Sequence, residues 1–155
     1  TIIQNGTPKH RHCLGLWVRH IVGNAMGLNL TSYLIAPDAT LMLSPLEQGF
    51  AKEQLESFVS GWYKGLCYPL PITPKTAFSW LESNPEKREE EVTKTFEGDD
   101  YNIKGEVNTN EALYRAYPSV SDLLTQRPGG LGFEDWIPLY QPLYEAEIKA
   151  VEDFG

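Results

Sequence analysis

Little in this 155-residue chain belongs to the usual chemical signatures. Its two cysteines, Cys13 and Cys67, stand far apart with no CxxC pair, so neither a redox motif nor a zinc ligand set is expected, and two buried reduced thiols are the reading. There is no Walker A pattern, and Gly129, Gly130 and Gly132 form GGLG, too short and wrongly placed for a phosphate loop, which leaves a flexible turn. The three histidines all fall between His10 and His20, which gives no defensible Ser-His-Asp or Cys-His constellation. Apolar runs are a few residues long, as at Thr40–Leu43, and cannot cross a bilayer. Neither a membrane span nor a signal peptide is expected. The Asn-x-Thr triplets at Asn5–Thr7 and Asn29–Thr31 would matter only after secretion, so a cytoplasmic location is the expectation. No repeat or low-complexity tract appears.

What is present is enough apolar residue, 41%, for one compact domain with a core. The formal charge of −8 is unevenly spread. Thr1–Leu81 carries six Lys or Arg against four Asp or Glu (+2), and Glu82–Gly155 carries seven against seventeen (−10). Duplex affinity is built mainly from phosphate neutralisation, so any DNA contact belongs to the first half.

Along the chain, Leu14, Trp17, Val18, Ile21, Val22 and Ala25 recur at helical spacing, and Gly27 stops the helix. Thr31–Ala36 and Thr40–Leu43 read as β-prone runs joined by a turn at Pro37, Asp38 and Ala39, a hairpin. Ser44, Pro45 and Glu47 combine an N-cap, a first-turn proline and a capping box. The helix they open carries Ala51, Leu55, Phe58, Val59, Trp62 and Leu66 in one apolar stripe, expected against the hairpin, and Pro69 and Pro71 end it. Thr73–Pro74 opens a short helix through Leu81, and Asn84–Pro85 another whose KREEEVTK run is a solvated face. Further helical pieces are expected at Asn108–Tyr117, Ser119–Thr125 and Phe133–Val151, broken by Pro118, by Pro128–Gly130, and by Pro138 and Pro142.

Several sequence blocks then fall into place together: QLESFVSGWYKGLCYPLPITPKTAFSWL at Gln54–Leu81, LWVRH at Leu16–His20, LSPLE at Leu43–Glu47 and FEGDDYNIKGE at Phe96–Glu106. From about Leu14 to Tyr144 the chain resembles the C-terminal region of the RecC family, gamma subunits of exodeoxyribonuclease V. The resemblance implies a mixed α/β fold: a degenerate PD-(D/E)xK, restriction-endonuclease-like core with a small sheet, flanking helices and a helical C-terminal extension. It implies a non-catalytic, strand-handling scaffold in a RecBCD-type helicase-nuclease for double-strand break repair. RecB-like and RecD-like subunits would be its partners, and they rather than this domain would use ATP and Mg²⁺, leaving it with no cofactor of its own. Thr1 is not an initiator Met, which fits a C-terminal fragment of a longer chain with its core at about residues 14–144.

The residues agree with a lost active site. A working nuclease of that fold presents an acid, a spacer and a Lys at the end of a mid-sheet strand to hold Mg²⁺. The corresponding place reads Leu43, Ser44, Pro45, Leu46, and the nearest acid, Asp38, sits in the preceding turn. No catalytic or metal residue is assigned. The basic cluster of Lys9, His10, Arg11, His12, Arg19 and His20 offers Lys9, Arg11 and Arg19 as DNA contacts, with His20 a half-buried structural residue. Of the aromatics Trp62, Tyr63, Tyr68, Phe78 and Trp80, helical spacing assigns Trp62 and Phe78 to the core, while Tyr68, beside Pro69, and Trp80, between Pro74 and Pro85, mark a subunit contact. Two alternatives stay open. Asp100, Asn102, Gly105, Val107 and Glu111 match an EF-hand loop at positions 1, 3, 6, 8 and 12, with Lys104 at the fifth place opposing a stand-alone calcium module. An active metal-dependent nuclease with noncontiguous acids is the other.

Overall fold

A computed structural model describes residues 1–3, 10–37, 40–99 and 104–152, excluding the side chains of 10, 11 and 147–152. It is mixed α/β and mostly helical, with one small sheet. The chain divides into two compact units, residues 1–63 with 142–155, and residues 64–141.

The first unit is built around helix α1 (His10–Ala25) and a three-stranded sheet of β1 (Ile2–Ile3), β2 (Ser32–Ile35) and β3 (Thr40–Leu43), in the order β1-β2-β3. The expected hairpin is present: β2 and β3 are antiparallel, with Ser32 opposite Leu43 and Leu34 opposite Leu41. Because side chains alternate along a strand, Ser32 and Leu34 turn inward while Tyr33 and Ile35 remain exposed. β1, which pairs parallel to β2 through Ile2–Leu34 and Ile3–Ile35, was not foreseen. Helix α1 buries Cys13, Leu16, Trp17, His20 and Ile21 and packs on β2. It ends as the sequence predicts. Gly27, at φ +79°, donates to the Asn24 carbonyl (2.9 Å) and Leu28 to that of Gly23 (3.1 Å), a Schellman pair of bonds that needs the left-handed residue glycine supplies.

Helix α2 spans Gln48–Cys67, and two expectations for it fail. It begins four residues after Ser44, because the Ser44 carbonyl and the Leu46 amide are bonded to side chains of α1, which holds the Ser44–Leu46 segment out of the helix. Glu47 takes over as cap: its carboxylate accepts from the Phe50 amide (2.8 Å), and bonds from Gly49 and Phe50 hold its pKa below the usual carboxylate value. Nor does the apolar stripe cover the hairpin. The helix packed there is α1, and the residues of α2 that are buried are the small Ala51 and Gly61.

In the second unit, α3 (Pro74–Glu82) lies against α4 (Arg88–Glu97), followed by a single 3₁₀ turn (Val107–Thr109), α5 (Glu111–Ala116) and α6 (Val120–Leu124). Helix α4 starts at Arg88 rather than at Asn84, since Asn84 closes a turn instead, its carbonyl accepting from Lys87 (2.9 Å). Its glutamates stay on the surface, where Lys94 pairs with Glu90 at 2.6 Å, while Val92 and Phe96 are buried. The expected Asn108–Tyr117 helix is interrupted because the Asn110 side chain caps α5, accepting from Ala112 (3.0 Å) and Leu113 (3.2 Å). Ser119 and Asp122 close a capping box on α6. Helix α7 (Phe133–Glu152) runs unbroken through Pro138 and Pro142, contrary to expectation. Each proline forfeits one backbone bond, while the buried Trp136, Ile137, Tyr140 and Leu143 follow one helical face through both positions.

Candidate functional site

The end of β3 is where an active relative of the expected fold would place its acid and lysine. Here it is closed by neutral polar groups. His20, fully buried on α1, bonds the Ser44 carbonyl through Nε2 (3.0 Å) and meets the Ser32 hydroxyl at Nδ1 (2.9 Å). A carbonyl only accepts, so Nε2 carries the proton and Nδ1 accepts from the Ser32 hydroxyl. Burial lowers the His20 pKa, the Ser44 bond opposing it, and the ring is neutral. Asn24, one turn on, accepts at Oδ1 from the amides of Leu30 (3.1 Å) and Leu46 (3.3 Å), and Trp17 stacks on the His20 ring with centroids 5.9 Å apart.

Ser32 beside His20 superficially suggests a nucleophile with its base. The opposite ring nitrogen faces a backbone carbonyl instead of a carboxylate, so no negative charge stands there to balance an imidazolium, and Ser32 itself is buried. The knot therefore ties α1 to the open end of the hairpin, where β2 begins and β3 ends. His20 is more deeply buried than the half-buried position expected for it. Neither Asn24 nor Ser32 was singled out from sequence, although a His and an Asn at i and i+4 on the apolar face of a helix is a legible sign of a buried polar pair. Among the described residues, no three His, Cys, Asp or Glu side chains converge in a way that could hold a metal ion.

The other sequence candidates are scattered. Lys9, Asp38, Asp100 and Asn102 lie outside the described residues, as does the side chain of Arg11. Arg19 is exposed on α1. The described part of the EF-like stretch is built into packing: Gly105 is buried with its Cα against the backbone of Phe96 and Glu97, Val107 is buried, and Glu111 on the first turn of α5 faces Arg115 at 3.4 Å. Cys13 is buried as expected, whereas Cys67 is exposed.

Among the aromatics, Phe78 is in the core, in edge contact with Tyr140 at 6.4 Å. Trp62 is not: it is 61% exposed, because the stripe it shares does not face the hairpin, and it meets Tyr63, 63% exposed, edge to face at 5.0 Å. Tyr68 is likewise exposed. Trp80 is half-buried, against Phe133 at 5.5 Å and under the Arg88 guanidinium at 4.9 Å.

A residue that sequence reasoning missed organises the second unit. The Glu106 carboxylate reaches back to the start of α3 and accepts from the amides of Lys75 (3.1 Å) and Thr76 (2.7 Å) and from the Thr76 hydroxyl (2.7 Å). Thr73, the expected cap, occupies the N-cap position, but its buried hydroxyl has no hydrogen-bond partner among the described residues. Nearby, burial of Tyr140, reinforced by the Glu106 charge, raises its phenol pKa. Thirty residues of separation left no local signal for this cap.

Fold and site together define a small mixed α/β module, mostly helical, whose polar seam serves structure. Its family can be given. The chain belongs to the RecC C-terminal domain family, whose family model matches residues 2–85, just over half of its length. That family is a component of RecBCD-type complexes, the gamma subunit of exodeoxyribonuclease V in DNA repair and recombination. No curated protein matches the chain. Among the described residues, no helix is long and apolar enough to cross a membrane.

Proposed function

We propose that this chain is a non-catalytic structural and strand-handling domain of a RecBCD-type helicase-nuclease, and that its sheet and α1 are the remnant of a PD-(D/E)xK core. The observation that carries the reading is the seam at the end of β3. Where an ion would need carboxylates and a lysine, a neutral imidazole, a hydroxyl and backbone groups satisfy one another. Breaking that knot to seat a divalent cation would strip His20 and Asn24 of their bonds. The seam lies inside the segment that matches the family.

In this reading the ATP and Mg²⁺ chemistry belongs to RecB-like and RecD-like partners, and the domain acts in the cytoplasm. Lys9, Arg11 and Arg19 supply the cations available to DNA phosphate, and Tyr68 and Trp80 lie at a subunit contact. Tyr68 supports that assignment by its exposure. Trp80 offers one half-covered ring face, already flanked by Arg88.

The test has two arms. Purified protein is incubated with linear duplex DNA and Mg²⁺ or Mn²⁺, and is mixed with RecB-like and RecD-like subunits for co-purification. No cleavage together with stable co-purification is the expected result. Metal-dependent cleavage that survives repurification, or failure to associate with either subunit, defeats the proposal.

A further inference from the structure

The outward side of α1 is exposed and largely aliphatic. At 3.6 residues per turn, Gly15, Val18, Val22 and Met26 form one row on the side opposite Trp17 and His20. All are exposed, Met26 at 70%. A side chain built at Gly15 would meet nothing within 4 Å, so the row is open there to close approach. Arg19 flanks the row, exposed and without an ion pair among the described residues. From His10 to Ala25 the helix contains no Asp or Glu. The face is thus an aliphatic strip with a positive flank and no negative charge on the helix itself.

We infer that this face docks an amphipathic helix of a partner protein, one that lays an aliphatic ridge along Val18, Val22 and Met26 and sets a carboxylate against Arg19. Each half of that description follows from a different property. The strip calls for apolar surface to remove it from water. The unopposed guanidinium calls for an anion, and its planar fork suits a carboxylate. Nucleic acid satisfies only the second demand, since a phosphate backbone brings no aliphatic ridge to cover a row of Val and Met. The inference rests on the chain being one component of a multi-subunit complex. At one residue it replaces the function proposed above: Arg19 pairs with the protein partner in place of phosphate, and Lys9 and Arg11 remain for DNA.

A photo-reactive benzophenone amino acid placed at Val22, with the exposed Glu89 on α4 as control position, tests the assignment in the full-length chain. Complexes are reconstituted with RecB-like and RecD-like subunits, with and without forked duplex DNA, irradiated, and mapped by mass spectrometry. The expected adduct joins position 22 to a partner helix with aliphatic residues at i, i+3 and i+7 and an Asp or Glu on its flank. Arg19→Glu then lowers the yield about tenfold, the loss expected of one interface anchor, with the circular dichroism spectrum unchanged. An adduct to DNA, an adduct to a segment without acid, equal labelling from position 89, or no adduct in an assembled complex overturns the docking alone. Failure of the unmodified chain to assemble overturns both the docking and the function proposed above.

Discussion

The two compact units solve the problem of burying apolar surface differently. Residues 64–141 bury large rings, with Phe78, Phe96, Tyr117, Phe133 and Tyr140 all nearly inaccessible, and place cations over ring faces, as with Arg127 on Tyr117 at 4.6 Å. The first unit buries Trp17, Ile21, Leu34 and Leu43 beside a polar knot, and leaves Ile3, Met26, Leu28, Trp62 and Tyr63 each more than half exposed. Large aromatics contribute most when fully buried, so the second unit gains its stability internally. The second unit also leaves Leu66, Tyr68 and Tyr114 more than half exposed, so the contrast lies in what each unit buries rather than in what it shows to solvent.

Ring deletions break this comparison most sharply. Phe96→Ala should cost about 3–5 kcal/mol, the range for emptying a buried aromatic site, whereas Trp62→Ala should stay within about 0.5 kcal/mol. Both are read from urea unfolding midpoints, and equal losses would show that the contrast is false. Next comes Gly105→Ala, whose added methyl falls onto backbone atoms of Phe96 and Glu97, with an expected loss of about 1–3 kcal/mol by the same measurement. Glu106→Ala removes the acceptor of two α3 amides and should lower stability by about 1–2 kcal/mol, with hydrogen exchange quickening at Lys75 and Thr76. A variant with unchanged exchange at those amides would remove Glu106 from its capping role.

The smallest effect concerns pH and belongs to the first unit. Burial depresses the His20 pKa, so the folded state holds the ring neutral while the unfolded chain binds a proton near pH 6.5. Stability from this site is fully present above about pH 6.5 and declines as the pH falls below it toward the lower folded value. His20→Phe should flatten that part of the pH–stability curve. A slope that persists unchanged in the variant would place the titration elsewhere.

Much of the architecture was legible because it is local. The hairpin followed from alternation around a turn, and the end of α1 from Gly27. The lack of an acid and a lysine after β3 was legible too, as a plain property of Leu43–Leu46. What escaped was set by distant partners. Ser44 had every mark of a helix cap until His20, twenty-four residues earlier, bonded its carbonyl, and Thr73 lost its capping role to Glu106. The stripe on α2 announced a buried face but not which surface would cover it, so Trp62 was placed in a core it does not enter. β1, two residues long, has too little periodicity to register.

The reach of Glu106 bears on how this protein should be cut for experiment. The recognisable family segment stops at residue 85, yet the acceptor that satisfies the first amides of α3 comes twenty-one positions later. A truncation drawn where the sequence similarity ends would sever a helix from the group that secures its beginning. Loss of binding in such a fragment would then report a frayed terminus instead of a missing contact.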